Sequence, residues 1–286
     1  MIIKSTLMKY FKLPVIVFVL YCCAASAGYG QLNRCGTVLT DKQHAFELSF
    51  TDSVNTIFQL NRSVEVTLFI IKDEKGDINM DLGDLTQALN GLNDAFKKIN
   101  LSFNVSLPNY IDNYHFDIIK KSENEKDLTA QHFVTNTINV YLVLNLFDDS
   151  DQEVCAYTYY PAEKKDVIFL SKSCITESSL IEQFGHFFNL YHTHEQGFAK
   201  ELVNKSNCSI AGDLCCDTPA DPNLSGKVDS ECQYSSMDQD ANHDYYTPSV
   251  YNYMSFSPDN CNKCFFSNEQ YLRVINCLLK TKSHLW

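Results

Sequence analysis

The chain of 286 residues contains no low-complexity segment and no short internal repeat, which excludes a solenoid or a repeat array. Positive charge is scarce: 23 Lys and Arg stand against 35 Asp and Glu, a net −12 at pH 7. That balance argues against a nucleic-acid partner and against an anionic membrane surface. Beyond residue 27 no apolar run is long enough to span a bilayer without charges, so no membrane insertion is expected of the body of the chain. What is present suits a globular protein. Hydrophobic residues make up 45%, enough for a core, and the length fits one large domain or two modest ones.

The first 27 residues read as a secretory leader. Lys4, Lys9 and Lys12 give a positive region, Leu13 to Cys23 an apolar run, and Ala25-Ser26-Ala27 a small-residue cleavage site. Losing those three lysines takes the net charge from −12 to −15, which suits a secreted protein in a calcium-rich medium. Of 12 cysteines, Cys22 and Cys23 would leave with the leader. The remaining even number, in a secreted chain, predicts up to five disulfides, Cys35 included, with Cys215 and Cys216 bonded to different partners. A zinc ribbon is the competing reading of Cys261-x-x-Cys264, but no second such pair stands at a suitable spacing. Glycosylation acceptors of the N-x-S/T type occur at Asn61, Asn100, Asn104, Asn204, Asn207 and Asn223.

Patterning divides the chain at about residue 192. A segment over 28–60 precedes a domain over 61–286, with an upper part over 61–192 and a lower part over 193–286. In the upper part, Val64 to Ile71, Leu101 to Leu107, Thr137 to Leu146 and Asp166 to Ser171 read as strands. Leu82, Leu85, Leu89, Leu92 and Phe96 recur at three- and four-residue steps, which predicts a helix over 81–99. A second helix is expected over 178–190, capped by Ser178 or Ser179, and a third over 268–279. Between them, 194–256 is rich in Asp, Asn, Pro, Gly and Cys and reads as ordered loop.

The stretch "IEQFGHFFNLYHTHE", Ile181 to Glu195, carries the chemistry. On a helix, Glu182 and His186 share a face. His192 joins them only if the chain turns at Asn189, and Asn is the non-glycine residue most at ease with positive φ. Glu182, His186 and His192 are thus candidate zinc ligands. Two histidines packed without metal are the other reading. His194 is expected at the surface or behind the ligands.

Several segments resemble the pappalysin family of metzincin proteases. "GHFFNLYHTHE" is similar to the family's G-H-(Y/F)-(F/L)-G-L-x-H-T-F, "GDLCCDTPADP" to its G-D-x-x-x-D-T-P, and "YNYMSFSPDNC" to its N-(Y/F)-M-x-Y Met-turn. "FFSNEQYLRV" resembles its F-T-x-x-Q-x-x-R-M helix, while "AYTYYP" and "DVIFL" stand where the family has G-Y-A-x-x-P and an edge strand. The matches run in order from about residue 60 to 280. The resemblance implies an α+β, metzincin-like zinc-metalloprotease fold. A mixed twisted sheet and two long helices would stand above a disulfide-rich, irregular lower part that ends in a helix. Met254 would lie beneath the metal. The resemblance makes calcium a candidate at Asp213, Asp217, Asp221 and Asp259, although turn-forming acids need no ion. Arg34-Cys35-Gly36 resembles a short cysteine switch, with an ordinary disulfide for Cys35 as the favoured alternative.

Departures from the family decide the expected activity. Glu182 replaces the first His ligand and Gln183 the general base. A Gln amide cannot take a proton from a metal-bound water, and such general-base help is worth about 10²–10⁴-fold, or about 3–5.5 kcal/mol. Phe256 replaces the Tyr whose hydroxyl would stabilise the oxyanion. Glu177 and Glu195 are nearby acids, but neither is placed to serve as a substitute base. The expectation is a secreted, catalytically inactive homologue that binds an extracellular protein or peptide. An active zinc endopeptidase with a Glu-His-His site and a purely structural glycoprotein are the alternatives.

Overall fold

The computed structural model describes residues 33–50 and 54–286. The expected leader, with Cys22 and Cys23, lies outside them. A short strand β1 (Asn33–Cys35) and helix α1 (Asp41–Ser49) precede the long strand β2 (Arg62–Ile71) and helix α2 (Leu82–Phe96). Strands β3 (Leu101–Val105), β4 (Asn109–Ile111) and β5 (Ile118–Lys120) lead to the short helix α3 (Glu125–Gln131). Then come β6 (Ile138–Val143), β7 (Asn145–Phe147), β8 (Glu153–Thr158) and β9 (Val167–Ser171). Helix α4 (Glu177–Phe187) follows, and α5 (Asn268–Lys280) is the final α-helix.

The strands form one mixed sheet in the order β3-β2-β6-β9-β8-β7-β5, with β1 beside β8 and β4 beside β2. Only β7–β8 and β8–β9 are antiparallel. Because successive side chains of a strand face opposite ways, each central strand supplies both faces. Val64, Val66, Leu68 and Ile70 enter the core shared with α2, α4 and α5, while Phe69 and Ile71 enter the opposite one. Register aligns one ring from each of four neighbouring strands. Phe69, Tyr141, Phe169 and Tyr157 stack with successive centroids 5.0, 4.9 and 5.0 Å apart. The segment "DVIFL", expected at an edge strand, falls in β9, which is central because β6 pairs with it on one side and β8 on the other.

Helix α4 starts one residue earlier than its pattern predicts. Its cap is Thr176, whose hydroxyl accepts from Ser179 N while the Ser179 hydroxyl accepts from Thr176 N, so Ser179 completes the capping box instead of opening the helix. Gly91 of α2 lies against the Glu177 side chain, allowing the two helices to approach closely. From residue 188 to 258 the chain has no helix or strand, only isolated bridges, as its turn-rich composition predicts.

Three disulfides form among the described residues: Cys155–Cys174, Cys208–Cys216 and Cys232–Cys261. That is within the expected limit of five, but four described cysteines stay unpaired. Cys216 is paired but its neighbour Cys215 is a buried free thiol, and Cys264 and Cys277 are also free. Cys35 is free as well, against the disulfide expected for it. Strand β1 pairs in parallel with β8, Cys35 opposite Ala156, and this register brings the thiol over α4 instead of toward another cysteine. The described residues, those preceding β2 included, form one compact unit. Among the described residues no helix is long and apolar enough to cross a membrane.

Candidate metal centre

Helix α4 places Glu182 and His186 one turn apart, both buried. The helix then stops. Asn189 has φ +73°, the left-handed conformation that Asn tolerates, and Leu190 N returns to Gly185 O at 2.9 Å. Arg273 Nε donates to Asn189 O at 3.2 Å and holds the turn from α5. The reversal brings His192 back, with its Nε2 3.0 Å from His186 Nε2 and 3.4 Å from Glu182 Oε1. Beneath them Met254 is fully buried against Gly185, and its carbonyl accepts from Thr193 N at 3.1 Å.

Cys35 completes the group. Its Sγ lies 3.5 Å from His186 Nε2 and accepts from Gln183 Nε2 at 3.3 Å. One ligating atom each from Cys35, Glu182, His186 and His192 lies within 4.8 Å of all the others. Zinc bound tetrahedrally to S, O and two N donors at about 2.0–2.3 Å separates its ligands by about 3.3–3.7 Å. Four of the six separations, 3.0, 3.4, 3.5 and 3.9 Å, lie within tenths of an ångström of that range, and all six are within 4.8 Å. The tautomer suits a metal too: His186 Nδ1 donates to Leu190 O at 2.8 Å, which leaves Nε2 free to ligate. These four residues fit zinc.

Charge in the pocket is balanced by a residue that no sequence pattern marked. Lys263 Nζ, buried, sits 3.5 Å from Glu182 Oε2. Burial alone would raise the Glu182 carboxyl, but Lys263, His192 and His186 more than offset it and hold it at about 2. Burial pushes His186 below its usual value, with Glu182 opposing. For His192, burial and His186 act downward, yet Cys35 and Glu182 outweigh them and raise it. A thiolate and a carboxylate would neutralise a dication, with Lys263 as the outer counter-charge to Glu182.

Gln183 and Phe256, at the positions expected for a base and for an oxyanion-stabilising hydroxyl, make contacts of other kinds. Gln183, in the place of the base, accepts from Thr37 Oγ1 at 3.0 Å while donating to Cys35 Sγ. A carboxylate could accept from Thr37 but could donate nothing to the thiol. Phe256 packs edge-on against His192 at 4.5 Å and, tilted, against His194 at 4.3 Å. His194 is stacked on His192, and burial followed by His192 takes it down to about 3. Glu177 opens α4 and packs on Gly91 of α2, while Glu195 accepts from Gln196 N and Gly197 N within its own turn.

The segment carrying Cys35 is locked down along its length. Thr37 Oγ1 accepts from Thr158 N at 3.0 Å. Gln43 of α1, fully buried, donates to Asn189 Oδ1 at 2.7 Å and Tyr191 Oη at 2.6 Å. Glu47 pairs with Arg273 at 2.9 Å. Sequence reasoning missed α1 because its apolar residues show no clean helical stripe; the one available signal was Arg34-Cys35-Gly36.

The four aspartates considered for calcium are not gathered. Asp213 accepts from Cys215 N and Thr218, Asp217 from Glu269 N, and Asp221 from Thr193 and Asn223 N, while Asp259 opens a short 3₁₀ turn. Among the described residues, the only group of three or more metal-ligating side chains is the one around Cys35. Of the glycosylation acceptors, Asn61, Asn100, Asn104 and Asn204 are exposed, and Asn207 and Asn223 are half-buried.

No family model and no curated protein matches this sequence. Solved structures do match its fold. A point mutant of promirolysin from Tannerella forsythia superposes with TM-score 0.58 at 14% identity, over 88% of this chain and 97% of that one. Mirolysin in complex with compound 9 gives 0.55 at 13%, over 81% and 96%. Mature Tannerella forsythia mirolysin in complex with a cleaved peptide gives 0.52 at 14%, over 77% and 91%. The fold is that of a metzincin-like metallopeptidase. Identity this low carries the fold and no more.

Proposed function

We propose that this chain is a secreted, pappalysin-like metallopeptidase homologue that binds zinc through Cys35, Glu182, His186 and His192 and does not hydrolyse peptides. The observation that carries the reading is the occupation of Gln183, which replaces the base and is hydrogen-bonded to Thr37 and to the thiol of Cys35. Zinc bound here would act as a Lewis acid, but no carboxylate stands ready to take a proton, and Phe256 offers no hydroxyl to an oxyanion. Three disulfides are compatible with an oxidising extracellular compartment.

Function is then exerted by binding. β1 adds to β8 in parallel, and an extracellular peptide that displaced it would find the same free backbone groups on β8. A second reading has one observation in its favour. Cys35 lies on a segment ahead of the upper part's main strands, so its removal would open a coordination position, as in a latent zinc endopeptidase with an atypical Glu-His-His set.

The deciding test measures bound zinc and cleavage of a mixed peptide library by the native protein. Glu182→His with Gln183→Glu, in a Cys35→Ala background, runs beside it. An inert, zinc-loaded native chain with a variant that cuts supports the first reading. Chelator-sensitive cleavage by the native chain, or after removal of the segment through Cys35, overturns it in favour of the second.

A further inference from the structure

We propose that the recess between α1 and the C-terminal end of α5 binds a small amphipathic anion, a carboxylate or sulfate group on an aliphatic or aromatic body. The recess is a cavity of about 690 Å³, within the range of small-molecule sites. Its apolar wall comes from Ala45 and Phe46 of α1 and from Pro161 and Ala162, just after β8. Its polar wall is cationic. Lys42, Lys164 and Lys280 line it, together with Lys282 and His284.

The recess contains a single acid, Asp166, and that acid is already shared. Lys282 Nζ lies 2.7 Å from Asp166 Oδ1, and His284 Nε2 lies 2.7 Å from Oδ2. Lys42 pairs with Glu163 at 3.3 Å. Among the described residues Lys164 and Lys280 make no ion pair, and Lys280 instead sits 5.1 Å from the Phe50 ring. Both lysines are exposed. On a chain of net charge −12, this concentration of cations beside apolar surface selects for an anion that also has an apolar part.

The placement has a consequence for the metal centre. Four residues of the recess, Lys42, Ala45, Phe46 and Ser49, belong to α1, whose Gln43 and Glu47 dock against Asn189, Tyr191 and Arg273. An occupant would bridge α1 to the body of the domain. It would therefore favour the state in which the Cys35 segment is docked, since it binds only that state.

Isothermal titration of the full secreted protein with octanoate and with octyl sulfate tests this, with octanol, acetate and inorganic sulfate as controls. One saturable site is expected for octanoate, octyl sulfate or both, at least about tenfold tighter than for any control, because a charge-assisted contact and apolar burial are both required. The two amphiphiles report which headgroup is preferred. Lys164→Glu with Lys280→Glu should weaken that binding at least about tenfold with an unchanged circular dichroism spectrum, as both side chains are exposed. Phe46→Ala should weaken it separately. Equal affinity for octanol, absence of binding by both amphiphiles, or full affinity in the double lysine variant would overturn the proposal.

Discussion

Cys35 Sγ stands 3.5 Å from His186 Nε2, although 151 positions separate the two residues in the chain. The thiol reaches the histidine because β1 joins the sheet beside β8, whose register sets Cys35 over α4. Cys35→Ala should therefore lower zinc affinity by more than about 10–100-fold, the loss usual when only an outer partner of a ligand is removed. Competition against a chelator of known affinity measures it. Unchanged affinity would remove Cys35 from the ligand set.

Gln183→Glu by itself is expected to weaken the protein without making it an enzyme. In the zinc-loaded protein the new carboxylate would face a Cys35 thiolate with no proton to donate, so the contact made by Gln183 Nε2 is lost and a buried acceptor is left unsatisfied, at a cost of about 1–3 kcal/mol. Limited proteolysis between Gly36 and Asp41 should become faster, and peptide cleavage should stay absent. Slower proteolysis would mean that Gln183 does not hold the segment.

Lys263→Met should be severe in the metal-free protein. Glu182 would be left as a buried charge with its cation gone, a loss of about 3–5 kcal/mol for a broken buried pair. Adding Glu182→Gln should restore much of the stability in urea denaturation. Additive losses in the double variant would show that the two side chains are not coupled.

Glu201 predicts a pH effect from a group outside the candidate ligand set. Both its oxygens are buried without a hydrogen-bond partner, and burial followed by Asp213 raises its carboxyl to about 8. Between its unfolded value of 4.5 and about 8 the folded state holds the proton more tightly, so stability should fall as pH rises through that window. Below 4.5 both states are protonated and the contribution is flat. The gap between unfolding midpoints at pH 5 and pH 8 should narrow in Glu201→Gln, with a residual slope from Asp213, which burial raises to about 7; an undiminished slope in that variant would contradict the assignment.

Local pattern was sufficient wherever one element could be read by itself. The alternation of Val64 to Ile71, the apolar stripe of α2 and the positive φ of Asn189 are properties of short windows, because strand and helix periods and left-handed tolerance are local. The same holds for Glu182, His186 and His192, which one helix and one turn bring together. α1 escaped notice because it is held by long-range hydrogen bonds through Gln43 and Glu47 more than by an apolar face.

The sequence by itself thus determined three of the candidate ligands, the Gln183 beside them and the helix and turn that carry them. Only the tertiary structure decided the fourth candidate ligand, Cys35, the counter-charge at Lys263 and the pairing of the cysteines. Those depend on which segments meet across the sheet and the lower part. Meetings of that kind are set by burial summed over the whole core, and no short stretch of sequence contains that sum.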